Sequence, residues 1–98
     1  MIGIICALQT DFDYIWHLVD KPIAQTGSIW PVYTGEMEGE PVALIMSGVG
    51  KVNAALGVAA IHNQYRVRAV VSVGLSGIIN DDLEIGDLVI GDTYRYHD

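Results

Sequence analysis

The residues with the types and spacing for chemistry gather first in the stretch "MSGVGKVNAALG", Met46 to Gly57. Two glycines and a lysine follow an apolar run there and lead into a segment of small residues, the usual arrangement for cradling a phosphate. The details fail that test. A G-x-x-x-x-G-K-[ST] loop needs a glycine where Ile45 stands and a hydroxyl where Val52 follows Lys51. A G-x-G-x-x-G turn needs a third glycine where Asn53 stands. Gly48 and Gly50 still permit close backbone approach, and a helix starting beside them presents free N–H groups. The turn can border a ligand, but a tight turn beside a surface lysine explains the same residues. Nothing in it demands phosphate.

Other chemistry-bearing residues are sparse. His97, in the closing "RYHD", has an imidazole that titrates near neutrality and so has the means for proton transfer. His17 and His62 fall at exposed positions of helical patterns. No H-x-x-x-H or Cys/His spacing suggests a metal site. The one cysteine, Cys6, has no internal disulfide partner and reads as a small buried hydrophobe. Trp16, Trp30 and the tyrosines are too dispersed for a base-stacking platform and are expected in core and interface packing. The net charge is −7, and Lys21, Lys51, Arg66, Arg68 and Arg95 are scattered rather than striped. Nucleic acid, which needs a basic stripe, is therefore an unlikely partner class.

The elements that must position these residues follow from hydrophobic patterning. "IGIICAL", Ile2 to Leu8, is a continuous apolar run typical of a strand buried on both faces. "QTDFDYIWHLVD" follows as a helix, with Thr10 or Asp11 available as its cap and Phe12, Ile15, Trp16 and Val19 at helical spacing. Pro22 marks a helix that has already ended. Trp30 to Thr34 and Val42 to Met46 read as a hairpin around the acidic "GEMEGE", and Pro31 and Pro41 place these strands at edges or at strand starts. "KVNAALGVAAIHNQY" reads as a helix whose small residues pack closely on a sheet. "RAVVSVG", Arg68 to Gly74, and "GDLVIGDTYRY", Gly86 to Tyr96, read as two further buried strands. The order implies an α/β layer architecture with a mixed sheet.

Composition bounds the rest. The chain has 98 residues, 51% of them apolar and only 17% charged, whereas an ordinary soluble domain carries roughly 25% charged residues. A sphere this small buries only about two thirds of its unfolded surface, so another segment or subunit is expected to cover apolar surface. No basic n-region precedes the first apolar run, and no run reaches the roughly 18 residues of a membrane span. A soluble, cytoplasmic protein without a membrane partner is the expectation.

In combination, "IGIICAL", "SGVGKVNAA", "GDLVIGD" and "RYHD" resemble the N-terminal half of the 5′-methylthioadenosine/S-adenosylhomocysteine nucleosidases, of the nucleoside phosphorylase superfamily. The likeness runs in order from Ile2 to Asp98. It implies a three-layer α/β sandwich with a central mixed sheet, of which residues 1–98 form the N-terminal portion of a single domain. It also implies a homodimer with its site near the subunit boundary, and hydrolysis of the bond between adenine and a thioribose without phosphate, metal or cofactor. Phosphorolytic relatives carry extra arginines for phosphate, and no such set is found here.

What the resemblance implies for individual residues is specific. The water-activating carboxylate, normally a glutamate, falls on Asp11, one methylene shorter. Leu8 stands where a methionine packs on the ribose, and Val49 would line the pocket for the 5′-alkylthio group. Where the family reads G-S/T-A-G, this chain reads "GLSG", Gly74 to Gly77. Leu75 takes the place of the hydroxyl and Ser76 that of the small residue beside the purine, unless the loop is shifted by one. The segment holding His97 is mainly structural in the family. The general acid for the purine and the glutamate for the ribose hydroxyls would follow Asp98 in a longer chain. Residues 1–98 alone are therefore expected to be inactive. Two other readings remain: a relative acting on another purine nucleoside or a futalosine-type substrate, and a non-catalytic nucleoside-binding or structural remnant.

Overall fold

A computed structural model describes residues 1–27 and 29–98. In order, the elements are β1 (Ile2–Cys6), α1 (Gln9–Trp16), β2 (Asp20–Gln25), β3 (Val32–Met37), β4 (Glu40–Met46), α2 (Lys51–Gln64) and β5 (Ala69–Val73). The strands form one sheet in the order β2-β3-β4-β1-β5. β4, β1 and β5 run parallel, while β2, β3 and β4 are antiparallel neighbours, so the sheet is mixed.

The alternation of side chains along β1 and β4 separates two cores. Ile4, Cys6, Val42 and Leu44 meet Phe12 of α1 and Val19 on one face. Ile5, Ala43 and Ile45, with Val32 of β3, meet Ile61 of α2 on the other. Helix, sheet, helix is the three-layer arrangement expected. On the α1 side Phe12, Trp16 and Tyr33 form an aromatic cluster, with Trp16 edge-on to Tyr33 at a centroid distance of 5.0 Å. On the α2 side Gly57 lets the helix lie close. A Cβ there would sit 2.8 Å from both Ile5 Cδ1 and Ser47 Cβ.

Several expectations are corrected. α1 ends at Trp16, and neither Thr10 nor Asp11 caps it; Leu8 is the N-cap residue and makes no side-chain bond. Strand β2, absent from the sequence reading, begins at Asp20. It is an edge strand with an irregularity between Asp20 and Ile23, where Pro22 sits and Lys21 has φ 52°. The β3–β4 hairpin closes on Glu38 and Gly39, both with positive φ, and its strands extend to Met37 and Glu40, through most of the segment expected as a loop. β3 starts just after Pro31, but Pro41 lies within β4, an interior strand. β5, expected to be buried, is the other edge, and most of it is exposed. Gly86 to Tyr96 forms no strand. Strands exist by ladder pairing, and this segment pairs with none of the described residues; Leu88 and Ile90 are 90% and 87% exposed.

Candidate functional site

Because β4, β1 and β5 are parallel and in register, their carboxyl ends finish together: Cys6 lies opposite both Met46 and Val73. Three loops leave the sheet side by side there. They carry Leu8 to Asp11, Gly48 to Lys51 and Gly74 to Gly77. Neighbouring strands stand about 4.8 Å apart, so all three loops originate within about 10 Å. The crevice outside the carboxyl ends of parallel strands is where open α/β sheets take ligands.

A cleft of about 310 Å³ opens at this edge, lined by Thr10, Asp11, Tyr14 and Ile15 of α1 and by Val73, Gly74 and Leu75. Asp11 sits in the first turn of α1, where the helix dipole favours a carboxylate. It is half-buried and faces Gly74, at which an added Cβ would lie 3.7 Å from Asp11 Oδ2. Its charge reaches the end of β1. Burial, with a smaller push from the Asp11 carboxylate, raises the Cys6 thiol to about 11. Leu75, 87% exposed, forms the opposite lip. The cleft thus offers one carboxylate, two hydroxyls and an apolar wall, with no cation among its lining residues. Such a site suits a neutral ligand and one proton transfer from water.

Of the residues singled out in the sequence, the fold brings Asp11 and Leu75 into one cleft. Leu8, Val49 and Ser76 lie on the same edge but do not line it. Ser76 turns its hydroxyl towards the Gly77 carbonyl, at 3.5 Å. His17, His62 and His97 are exposed, and Cys6 is fully enclosed. Among the described residues, no cluster of three His, Cys, Asp or Glu side chains is arranged to hold a metal.

The glycine turn is held from three directions. The Ser47 N–H donates to the Cys6 carbonyl at 2.9 Å, and the Asn53 amide donates to the Val49 carbonyl at 2.8 Å. Gly48 and Gly50 have φ of +87° and +100°, a region that non-glycine residues rarely adopt. Lys51 Nζ meets both carboxylate oxygens of Asp98 at 2.8 Å and lies 4.0 Å from the Tyr96 ring centre. Sequence reasoning saw Asn53 only as a missing glycine and did not connect Asp98 with Lys51. Tyr14 was also missed, although its place three residues after Asp11 puts both on one helix face.

A family model described as the phosphorylase superfamily matches residues 1–98. Among solved structures, the 5′-methylthioadenosine/S-adenosylhomocysteine nucleosidase of Streptococcus pneumoniae with a transition-state inhibitor is 30% identical, with a TM-score of 0.81. The Neisseria meningitidis enzyme in complex with methylthio-immucillin-A is 28% identical, with a TM-score of 0.79. The Colwellia psychrerythraea enzyme in complex with adenine is 28% identical, with a TM-score of 0.81. Each match covers 88% of this chain, which spans a little over a third of those proteins, 36–37%.

Proposed function

The chain belongs to the phosphorylase superfamily, and from that premise we propose that it carries the N-terminal half of a site that hydrolyses adenine thionucleosides such as 5′-methylthioadenosine and S-adenosylhomocysteine. The observation that carries this reading is Asp11, the one carboxylate of a cleft at the carboxyl ends of β1 and β5. The solved relatives above hold adenine or nucleoside-like inhibitors. Cleaving a ribosyl–purine bond develops positive charge on the sugar, as in glycoside hydrolysis. The Asp11 carboxylate stabilises that charge as the ribosyl–purine bond breaks, and then takes the proton that the water loses as its oxygen bonds the sugar carbon. Leu8 and Val49 border the sugar and its 5′ substituent from the neighbouring loops. The leaving purine needs a separate acid, which residues outside this chain's cleft would supply.

Residues 1–98 serve here as part of a single phosphorylase-like domain. The working form is a homodimer, for which Val52 and Leu56 offer exposed apolar surface on α2. The reaction belongs to methionine salvage in the cytoplasm; no helix among the described residues is long and apolar enough to cross a membrane. A second reading, a relative with an altered nucleoside substrate, is favoured by one observation. Leu75 puts an apolar side chain at the cleft where the resemblance expects a hydroxyl.

The test is a chimaera in which residues 1–98 replace the matched segment of the Streptococcus pneumoniae nucleosidase. Adenine release from 5′-methylthioadenosine is expected. Asp11→Asn should preserve folding, because Asp11 makes no capping bond, and should lower turnover by about two orders of magnitude, the scale of a lost general base. Nearly unchanged turnover would reduce Asp11 to a partner of the helix dipole.

A further inference from the structure

One carboxylate does not fix a water in place. A water ordered in a protein site is held by about two to four polar groups, and Asp11 is one. The cleft narrows the choice of a second. Ile15, Val73, Gly74 and Leu75 bring no polar side chain, so the remaining candidates among the lining residues are the hydroxyls of Thr10 and Tyr14. Ser76 does not line the cleft, and its hydroxyl turns to the Gly77 carbonyl. Helix geometry separates Thr10 from Tyr14. Thr10 and Asp11 are consecutive in α1, about 100° apart around its axis, and consecutive residues do not face each other. Tyr14 shares the face of Asp11, three residues on, a spacing that puts Cβ atoms about 5–6 Å apart. Long side chains on a helix lean back over the preceding turn, which here is the turn of Asp11 at the carboxyl edge of the sheet. Packing does not account for Tyr14. It is 75% exposed and stands outside the Phe12, Trp16 and Tyr33 cluster. Among the described residues, the side-chain hydrogen bond of α1 joins Gln9 to Asp13, and the Asp11 carboxylate and Tyr14 hydroxyl have no protein partner.

We propose that Tyr14 is a positioning residue for the attacking water, which its phenol oxygen holds beside Asp11. This rests on the nucleoside-cleaving reading and adds to it the second group that orients the nucleophile. One O–H of the water donates to the Asp11 carboxylate and the other to the Tyr14 oxygen, which leaves an oxygen lone pair free to face the sugar. The ribosyl–purine bond then breaks and its electron pair leaves with the purine. The water oxygen bonds the sugar carbon, and the proton it loses passes to Asp11. Tyr14 neither gains nor loses a proton. Gly74 keeps the β5 side of the carboxylate open: even an added Cβ there would lie 3.7 Å from Asp11 Oδ2.

The test uses Tyr14→Phe, which keeps the ring and removes only the oxygen. In the chimaera described above it is expected to lower kcat for 5′-methylthioadenosine about three- to tenfold, the worth of one hydrogen bond. KM and Tm should stay as they were, since Tyr14 is exposed and the ring remains. Because Tyr14 acts through the water that Asp11 deprotonates, the same change should cost almost nothing on top of Asp11→Asn. A crystal structure of the chimaera with methylthio-immucillin-A should hold a water within about 3 Å of both Asp11 and Tyr14 Oη. Unchanged kcat in Tyr14→Phe overturns the proposal. So does a rise in KM alone, a full further cost in the Asp11→Asn background, a fall in kcat confined to Thr10→Val, or a water on Asp11 that Tyr14 does not touch. A chimaera that releases no adenine with Asp11 and Tyr14 both intact removes the nucleosidase reading and this role with it. An active chimaera indifferent to Tyr14→Phe removes the role alone, which separates the two failures.

Discussion

At the residue scale, the cleft turns on what faces Asp11. Leu75 lines it and Ser76 does not, so the apolar side chain, not the hydroxyl, shares the cleft with the carboxylate. In the active chimaera, Leu75→Ser is expected to raise hydrolysis of 5′-methylthioadenosine, while Ser76→Ala should leave it nearly unchanged. Kinetics of the two variants side by side decide the matter. A damaging Ser76→Ala would mean that the loop slips by one residue when ligand binds. Cys6 gives a second, independent reading of the same corner. Its thiol is raised to about 11 by burial and then by Asp11. Between about pH 9 and that value the folded chain keeps a proton that the unfolded chain sheds, so stability falls as pH rises through this window. Below pH 9 both states hold the proton and the effect vanishes. Denaturant unfolding of the native chain and of Cys6→Ala across this range should show the decline in the first and a flatter profile in the second. Parallel profiles would mean that the thiol is not enclosed as the fold places it.

At the element scale, packing decides where local rules hold. A helical glycine replaced by alanine ordinarily gains up to about 1 kcal/mol from propensity. At Gly57 the sign is expected to reverse, because the new methyl would lie 2.8 Å from Ile5 Cδ1 and Ser47 Cβ. Overpacking of that kind costs about 1–3 kcal/mol. Thermal unfolding should show a lower Tm for Gly57→Ala; a higher one would mean that α2 is free to lift from the sheet. The same logic explains what was legible in the sequence. β1 and α2 were read within a residue or two, because a buried parallel strand is a continuous apolar run and α2 has an alanine-rich pattern. β2 was missed because "DKPIAQ" is a polar edge strand interrupted by Pro22, with neither alternation nor β-branched enrichment to reveal it. Gly86 to Tyr96 was read as a strand because its apolar run is real, but a run does not supply the neighbour that a strand must pair with. Of the site, Asp11 and Leu75 were reached by resemblance. The Asn53 and Asp98 contacts were hidden because spacing rules describe neighbours in sequence, and Asp98 meets Lys51 across 47 positions.

At the scale of the whole molecule, two observations bear on what the 98 residues do by themselves. The cleft supplies one carboxylate, and its remaining lining residues, Thr10, Tyr14, Ile15, Val73, Gly74 and Leu75, include no second carboxyl and no histidine to protonate a leaving purine. Losing general acid assistance typically costs about 10²–10⁴-fold. Losing the groups that orient the sugar forfeits proximity as well. The second observation is the surface. Leu75, Ile79, Ile85, Leu88 and Ile90 are each at least 87% exposed, and they follow an edge strand, β5, in which Val71 is 45% exposed. Apolar surface beside an open strand edge invites pairing with another copy. The purified chain is therefore expected to self-associate and to release no adenine from 5′-methylthioadenosine above the uncatalysed rate. Sedimentation over a concentration series, beside an absorbance assay for adenine on the same samples, checks both halves. A monomer at every concentration would mean that the exposed residues fold back in solution against β5 or α2. Catalytic adenine release would show that Asp11 and the cleft hydroxyls suffice for the chemistry, and that the missing acid is not required.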